Sequence, residues 1–375
     1  MSDKVMALIT TVPIIIIMLI IQIITPKLTR RDIYFGVRVP VEEVAKEELT
    51  NIYKEYIKNN LVISVIYILV FSILVYSSEK FWVIIQILGI CLYLIISFLI
   101  YYRSNKKVKE IKDKNGWYKI KKSVTVIDTN FTKNKRKSVL VSPWWFMIPE
   151  IIIVMNIIIG INVYDRLPDL IPTHWNALGQ VDGWTKKSYK AMIQMPFVQF
   201  FMTLVLFFSY KIIGWSKQQI NASNPEESRE RNIIFRRRWS GYMVIMVILL
   251  NLLFTYINLN ILQVINTSGK GMMVVTFLVT GLILILSIYM SLTTGQGGSR
   301  IKLKRETNTS SGLVDRDDDK YWKLGNSIYV NKDDPSLFVE KRFGIGWTMN
   351  YGRIESIIIT IVLLALIIAM PLFFR

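Results

Sequence analysis

The sequence predicts an all-α polytopic membrane protein: about eight transmembrane helices, with a small β-rich element before the last. Three observations predict it. Hydrophobic residues make up 52% of the 375-residue chain, more than soluble proteins usually carry. They gather in separated runs of about 20, the length a helix needs to cross a bilayer core. Basic residues gather in alternate loops: 38 of the 46 Lys and Arg fall in segments 26–60, 103–143, 211–239 and 294–353. With eight spans these four segments lie on one side, which the positive-inside preference makes the cytoplasm. Both termini are then extracytoplasmic.

The same asymmetry accounts for the net charge of +19. It reads as loop topology, and no direct nucleic-acid binding is expected. The single cysteine, Cys91, lies in an apolar run. It excludes an intramolecular disulfide and a multi-thiolate metal site, and a buried free Cys behaves as a small hydrophobe.

The first span, 5–25, is too long for a typical signal-peptide core, and no A-x-A site follows it. It meets Pro26-Lys27 and then Arg30-Arg31, and reads as retained. After Tyr34-Phe35-Gly36-Val37-Arg38-Val39-Pro40, the apolar positions Val44, Leu49, Ile52, Tyr53 and Ile57 approach a helical period. They fit a short amphipathic helix at the membrane surface or leading into span two, or else a solvated connector. Spans 61–78 and 81–102 form a hairpin turning at Glu79-Lys80. These three spans make up an N-terminal membrane region, 1–143. Its last segment, 103–143, is Lys-rich and suits contact with anionic headgroups, at about 1 kcal/mol per basic residue. A strand is expected near Val124–Ile127.

A four-span module, 144–293, follows. Pro143-Trp144-Trp145 mark an aromatic belt at the start of span 144–163. Glu150 then lies roughly 9 Å deeper. It reads as a functional intramembrane carboxylate, or as a shallow Glu reaching water or a loop Lys. Span 191–213 comes next. Span 240–264 places Asn251, Thr255 and Asn258 on one helix face. Span 272–293 carries Thr276, Thr280, Ser287 and Ser291. These polar residues read as interhelical glue, under about 2 kcal/mol per bond, or as a polar track for a substrate.

In segment 294–353, residues 295–312 read as a flexible polar linker. The acidic run Asp317-Asp318-Asp319 leads to two or three short strands within Tyr321–Tyr351, too few to be stable alone. Trp322, Tyr329, Phe338, Phe343 and Trp347 should rest on headgroups or helix ends. Gly344 and Gly346 suggest close backbone approach. Residues 354–375 hold the last span.

The densest cluster of special residues is the outer loop, 164–190. It holds the only histidine, His174. Pro168 and Pro172 fix φ and keep Asp169 and Thr173 out of any helix interior. Gly179 supplies a corner, and Asp182-Gly183 before Trp184 is a tight-hairpin signal. Leu167, Leu170, Ile171 and Trp175 are too apolar for a free loop, so it should fold back onto the bundle or the outer leaflet. His174 with Asp169 and Asp182 lacks the further histidines of a usual zinc set. No GxSxG or HExxH motif occurs. No catalytic residue, metal site or cofactor is therefore assigned, and His174 reads as a structural partner within a turn.

The run Leu167-Pro168-Asp169…Ile171-Pro172-Thr173-His174-Trp175-Asn176-Ala177…Gly179…Asp182-Gly183-Trp184, with a Lys pair and a span after it, resembles the signature of SdpI-like bacterial membrane proteins. The segments around Phe35–Pro40 and Tyr321–Tyr351 resemble accompanying regions of larger members. The resemblance implies a non-enzymatic, multi-pass protein of the bacterial cell membrane. It implies immunity to, or sensing of, a peptide toxin or envelope signal, relayed to a cytoplasmic regulator. The partners would be the lipid bilayer, an extracellular peptide and that regulator. A transporter or accessory permease subunit is the alternative, suggested by Glu150, Asn251 and Asn258.

Overall fold

A computed structural model describes residues 3–117, 123–124, 139–176, 179–303 and 314–373. Eight long helices follow in order: α1 (Asp3–Leu28), α2 (Glu47–Ser77), α3 (Trp82–Lys114), α4 (Met147–Val163), α5 (Tyr189–Trp215), α6 (Pro225–Ile261), α7 (Gly269–Thr294) and α8 (Ile354–Phe373). The first seven are long and apolar enough to cross a membrane; α8 is apolar over the shorter stretch Ile354–Ala369. Their exteriors are apolar, with Leu69 59% and Leu278 68% exposed. Many of their buried positions are polar instead, such as Ser64, Asn156 and Gln199. This reverses the soluble pattern and suits a lipid surround, where backbone polar groups must be satisfied within helices.

Among the described residues, ten short strands pair into five two-stranded sheets. They are β1 (Ile33–Tyr34), β2 (Val37–Arg38), β3 (Ser123–Val124), β4 (Leu170–Trp175), β5 (Val181–Lys186), β6 (Val314–Asp315), β7 (Trp322–Lys323), β8 (Ile328–Tyr329), β9 (Phe338–Glu340) and β10 (Trp347–Met349). Of the strand expected near Val124–Ile127, only Val124 is among the described residues; it lies in β3, which pairs in parallel with β6.

The chain divides into two compact units built from separated stretches: 1–128, 217–232 and 291–354 in one; 129–216, 233–290 and 355–375 in the other. In the first, the expected amphipathic stretch is simply the first turns of α2, which runs unbroken from Glu47. Gly89 of α3 lies against the ring of Phe71 and gives its carbonyl to Tyr67 Oη, which closes the α2–α3 hairpin.

Beyond its apolar stretches this unit has a second core, with Phe35, Val37, Leu49, Tyr56, Tyr101 and Val108 buried together. Phe35 and Gly36 form the β1–β2 turn with φ of 45° and 80°. Left-handed backbone suits a two-residue hairpin but strains Phe35. Burial of its ring among Tyr34, Tyr53, Tyr56 and Tyr101 offsets that strain. The β7–β8 turn docks on it: Asn326 donates to the Gly36 carbonyl at 2.7 Å, and Tyr101 Oη donates to the carbonyls of Phe35 and Gly325.

The β-rich segment before α8 is present. Trp322, Tyr329 and Val339 form its core, and the Phe343 ring packs, tilted by 36°, against Tyr101 of α3 with centroids 3.8 Å apart. Two expectations fail here. The start of the expected linker is packed: Gln296 is buried and exchanges hydrogen bonds with the Gly346 backbone at 2.7 and 3.0 Å. Residues 304–312 of that stretch lie outside the described residues. Gly344 and Gly346 have φ of 80° and 117°; a Cβ on Gly344 would meet Thr25 Cγ2 at an ordinary contact distance of 3.6 Å, and one on Gly346 would meet nothing within 4 Å. Backbone conformation, rather than close approach, therefore calls for glycine.

In the second unit, α4 and α5 are antiparallel partners joined by the β4–β5 hairpin. Arg236, fully buried on α6, donates to the carbonyls of Ile213 and Ser216 at the end of α5. A cation there satisfies orphan carbonyls and complements the helix dipole.

Candidate functional site

The 164–190 loop is a β-hairpin, with Leu170 opposite Lys186, Pro172 opposite Trp184 and His174 opposite Gly183. The expected Asp182-Gly183 turn is not where the chain reverses. The turn is Asn176–Gln180: Asn176 N–H donates to the Gln180 carbonyl, Gln180 N–H donates to Asn176 Oδ1, and Gly179 takes φ 76°. Asp182 and Gly183 instead lie inside β5. A Cβ on Gly183 would stand 2.7 Å from that of His174, so glycine admits the opposing imidazole. Gly179 serves a second purpose: its backbone touches Gly269 at the start of α7, and a Cβ on either would overlap the other chain.

One side of the hairpin is anchored, as the apolar residues predict. Leu167 and Ile171 are buried with Met192, Ile261 and Leu262, and Trp175 packs against them. Pro172 is buried, whereas Pro168 is exposed. The base is fixed by Lys187: its N–H donates to the Asp169 carbonyl, its ammonium to the carbonyls of Asp165 and Leu167. Asp169 thus contributes its backbone and stands apart from His174's partner. That partner is Asp182, through Nδ1. The pair is exposed, with side-chain values of 71% and 43%. Leu170 and Trp184 are also exposed, at 53% and 56%.

Deeper in the unit, Asn251 belongs to a continuous polar network. Asn156 Nδ2 donates to Gln199 Oε1 and Thr255 Oγ1 at 2.9 and 2.7 Å. Gln199 Nε2 donates to the Asn251 carbonyl, and Asn251 Nδ2 to Thr203 Oγ1. The network ties α4, α5 and α6 together. Asn258 is buried near its end, with Nδ2 unpartnered. On α7, Thr276, Thr280 and Ser287 bond to carbonyls of their own helix, and Ser287 also meets the Tyr242 hydroxyl of α6. Glu150 sits in the first turn of α4 and lines a cavity of about 420 Å³ with Phe200, Leu204, Phe207 and Lys211. The sequence reading singled out Asn251 but missed Asn156, Gln199 and Thr203. The first two are amides in apolar runs, as Asn251 is.

The first unit holds a cluster that sequence reasoning did not assemble. Arg30, Arg38, Arg342 and Lys112 meet Asp32, Asp315, Asp317, Asp318 and Asp319 in one chain of ion pairs. Arg342 is 2% exposed, donates to Asp318, Asp319 and the Gly36 carbonyl, and lies over the Trp322 ring at 5.2 Å. Burial opposes charge on Asp318 and Asp319, but Arg342 with Arg38 or Lys112 outweighs it and holds both carboxyls below the usual range. Burial likewise opposes charge on Asp32, yet Arg30 and Arg38 pull its carboxyl down. Asp315 goes the other way: burial, with Asp32 adding to it, exceeds the help of Arg30 and Arg38 and raises its carboxyl. Burial also pushes the nearby Tyr34 hydroxyl up to about 12. These ion pairs bind the 30–38 hairpin and Lys112 of α3 to the 314–342 segment.

Two comparisons bear on these regions. Residues 151–200, which contain the hairpin, match a family model described as a domain of unknown function, DUF1648. Residues 332–357 match another described as a family of unknown function, DUF5808. No curated protein and no solved structure matches the chain. With the apolar helices, the matches describe a multi-pass membrane protein carrying two domains of unknown function.

Proposed function

We propose that this chain is a non-enzymatic, SdpI-like protein of a bacterial cell membrane that recognises an extracytoplasmic peptide, a toxin or envelope signal, through the β4–β5 hairpin. In this reading α8 completes eight spans, both termini and the hairpin face outward, and the charge-latched segment faces a cytoplasmic regulator. The carrying observation is the division of the hairpin. Its inner side is anchored by Leu167 and Ile171, while Leu170, Trp184 and the His174–Asp182 pair stand exposed. In its two-stranded sheet, β5 also has a free edge, and an extended peptide can add to such an edge as a further strand. Apolar anchors beside an ionisable pair suit an amphipathic peptide better than a small solute.

A photo-crosslinker at position 184 should capture the peptide in intact cells, and Trp184→Ala should restore peptide sensitivity toward that of a deletion strain. Unchanged sensitivity in both the deletion strain and the variant, across the sibling-secreted peptides, would sink the reading. Labelling of a Trp184→Cys variant by an impermeant maleimide tests the orientation separately.

The transporter alternative draws on Glu150 and the intramembrane amides. The amide network favours bracing, because Asn156, Gln199, Thr203 and Asn251 bond to one another. Solute flux in proteoliposomes that Glu150→Gln abolishes would reverse that preference.

A further inference from the structure

The groove between α4 and α5 has a composition that neither the hairpin nor the amide network explains. Its walls are apolar, with Phe146, Phe200, Leu204 and Phe207 among them, yet it contains one carboxylate, Glu150, and one ammonium, Lys211. The two lie on different helices but converge in depth. Helical side chains lean toward their own N-terminus. Glu150 therefore leans back toward Phe146. Lys211 leans back toward Phe207, and its Nζ lies 5.1 Å from that ring. The Phe146 and Phe207 rings meet at 5.0 Å, so both charges reach the level of this aromatic pair.

Neither charge is neutralised by the protein: among the described residues, neither Glu150 nor Lys211 joins an ion pair within 4.0 Å. An unpaired charge facing apolar walls is costly. A ligand bearing both charges a few ångströms apart would satisfy both groups together. Position narrows the class. Trp144, which lines the groove and is 77% exposed, and the adjacent Trp145, 52% exposed, mark an interfacial belt. Rings in such a belt sit at headgroup level, so a groove opening beside Trp144 meets phospholipid headgroups and the first carbons of their chains. Glu150 narrows it further, because a carboxylate accepts hydrogen bonds only from a donor. A primary ammonium has three N–H donors, whereas a quaternary ammonium has none.

We propose that this groove binds one phosphatidylethanolamine molecule from the surrounding bilayer, with its phosphate on Lys211 Nζ, its ammonium on the Glu150 carboxylate and an acyl chain along Phe200 and Leu204. The site is independent of the peptide-recognition reading, and either can fail alone.

The test is native mass spectrometry of the full chain released from nanodiscs. The nanodiscs hold equal amounts of phosphatidylethanolamine, phosphatidylcholine and phosphatidylglycerol with identical acyl chains. The wild type should retain one phosphatidylethanolamine at about tenfold or more over phosphatidylcholine, since a hydrogen bond to a charged group contributes roughly 1.5–3 kcal/mol. Glu150→Gln should erase that preference, and Lys211→Gln should lower retention of all three lipids. Equal retention of ethanolamine and choline lipids by the wild type would overturn the proposal, with no variant needed. So would a preference for phosphatidylglycerol, which would reduce the groove to a basic patch. An undiminished ethanolamine preference in folded Glu150→Gln would do the same.

Discussion

Arg342→Met tests whether the buried ion-pair chain holds the 314–350 segment in place. The substitution keeps much of the side chain's volume and removes only the cation. Removing one partner of a buried pair typically costs about 3–5 kcal/mol. Here neither carboxylate is orphaned. Asp318 keeps Arg38 at 3.2 Å, and Asp319 keeps Lys112 at 2.5 Å. The Gly36 carbonyl keeps Asn326. The expected cost is therefore lower, about 2–3 kcal/mol. Read as local opening, that is roughly a 30- to 150-fold loss of amide protection across 314–350, measurable by hydrogen exchange in detergent.

A second substitution separates charge from packing. With Arg342 present, four cations face five aspartates; without it, three do. Asp319→Asn in the Arg342→Met background restores the original excess of one carboxylate. It also keeps an oxygen acceptor for the Arg38 N–H. The double variant should recover more than half of the lost protection. If Asp319→Asn deepens the loss, or if Arg342→Met leaves exchange unchanged, the electrostatic account is wrong and the aromatic contacts of Phe343 and Trp322 hold the segment.

The pH dependence follows from the same groups. Asp318 and Asp319 have carboxyls held below their unfolded value, so their stabilisation is present above about pH 4 and is lost as pH falls through their folded values. Asp315, raised, acts above its unfolded value and in the opposite sense, adding protection as falling pH protonates it; protection of 314–350 should hold or rise slightly from pH 8 toward about pH 5 and fall below about pH 4. At the hairpin tip, Gly179→Ala meets both a left-handed φ and the Gly269 backbone. It should lower the apparent Tm and expose the 176–180 turn to protease, by more than the roughly 1–2 kcal/mol of the backbone term alone; wild-type behaviour would mean the tip does not pack on α7. In the amide network, Gln199→Leu removes bonds to Asn156, Thr255 and Asn251 and should destabilise by about 1–2 kcal/mol, the intramembrane scale, read as a fall in Tm in detergent. A neutral result would show that Asn156 and Asn251 re-pair without it.

The elements were legible wherever a local pattern determines them. Apolar runs gave every long helix among the described residues, because such a helix needs only length and composition. The apolar residues of the 164–190 loop gave its fold-back, because Leu167 and Ile171 have few other places to go. The turn was misread because two local signals competed. Asp182-Gly183 is a strong turn pair in isolation, but Asn176 closes a turn with both its backbone and its carboxamide. That leaves Gly183 to make room for His174, a requirement visible only once the strands are paired. The ion-pair chain was illegible for another reason. Arg30 and Asp315 are separated by 285 positions, and nothing local marks either as a partner. What was visible was an incongruity: three consecutive aspartates inside a segment whose other charges are mostly basic. The same holds for Glu150, a carboxylate in an apolar run whose counterpart, Lys211, belongs to a different helix. In both places an out-of-place charge was the readable part of a site whose other half lay far along the chain. For a protein of this kind, charges that contradict their segment are therefore the residues to pair first, before any fold is known.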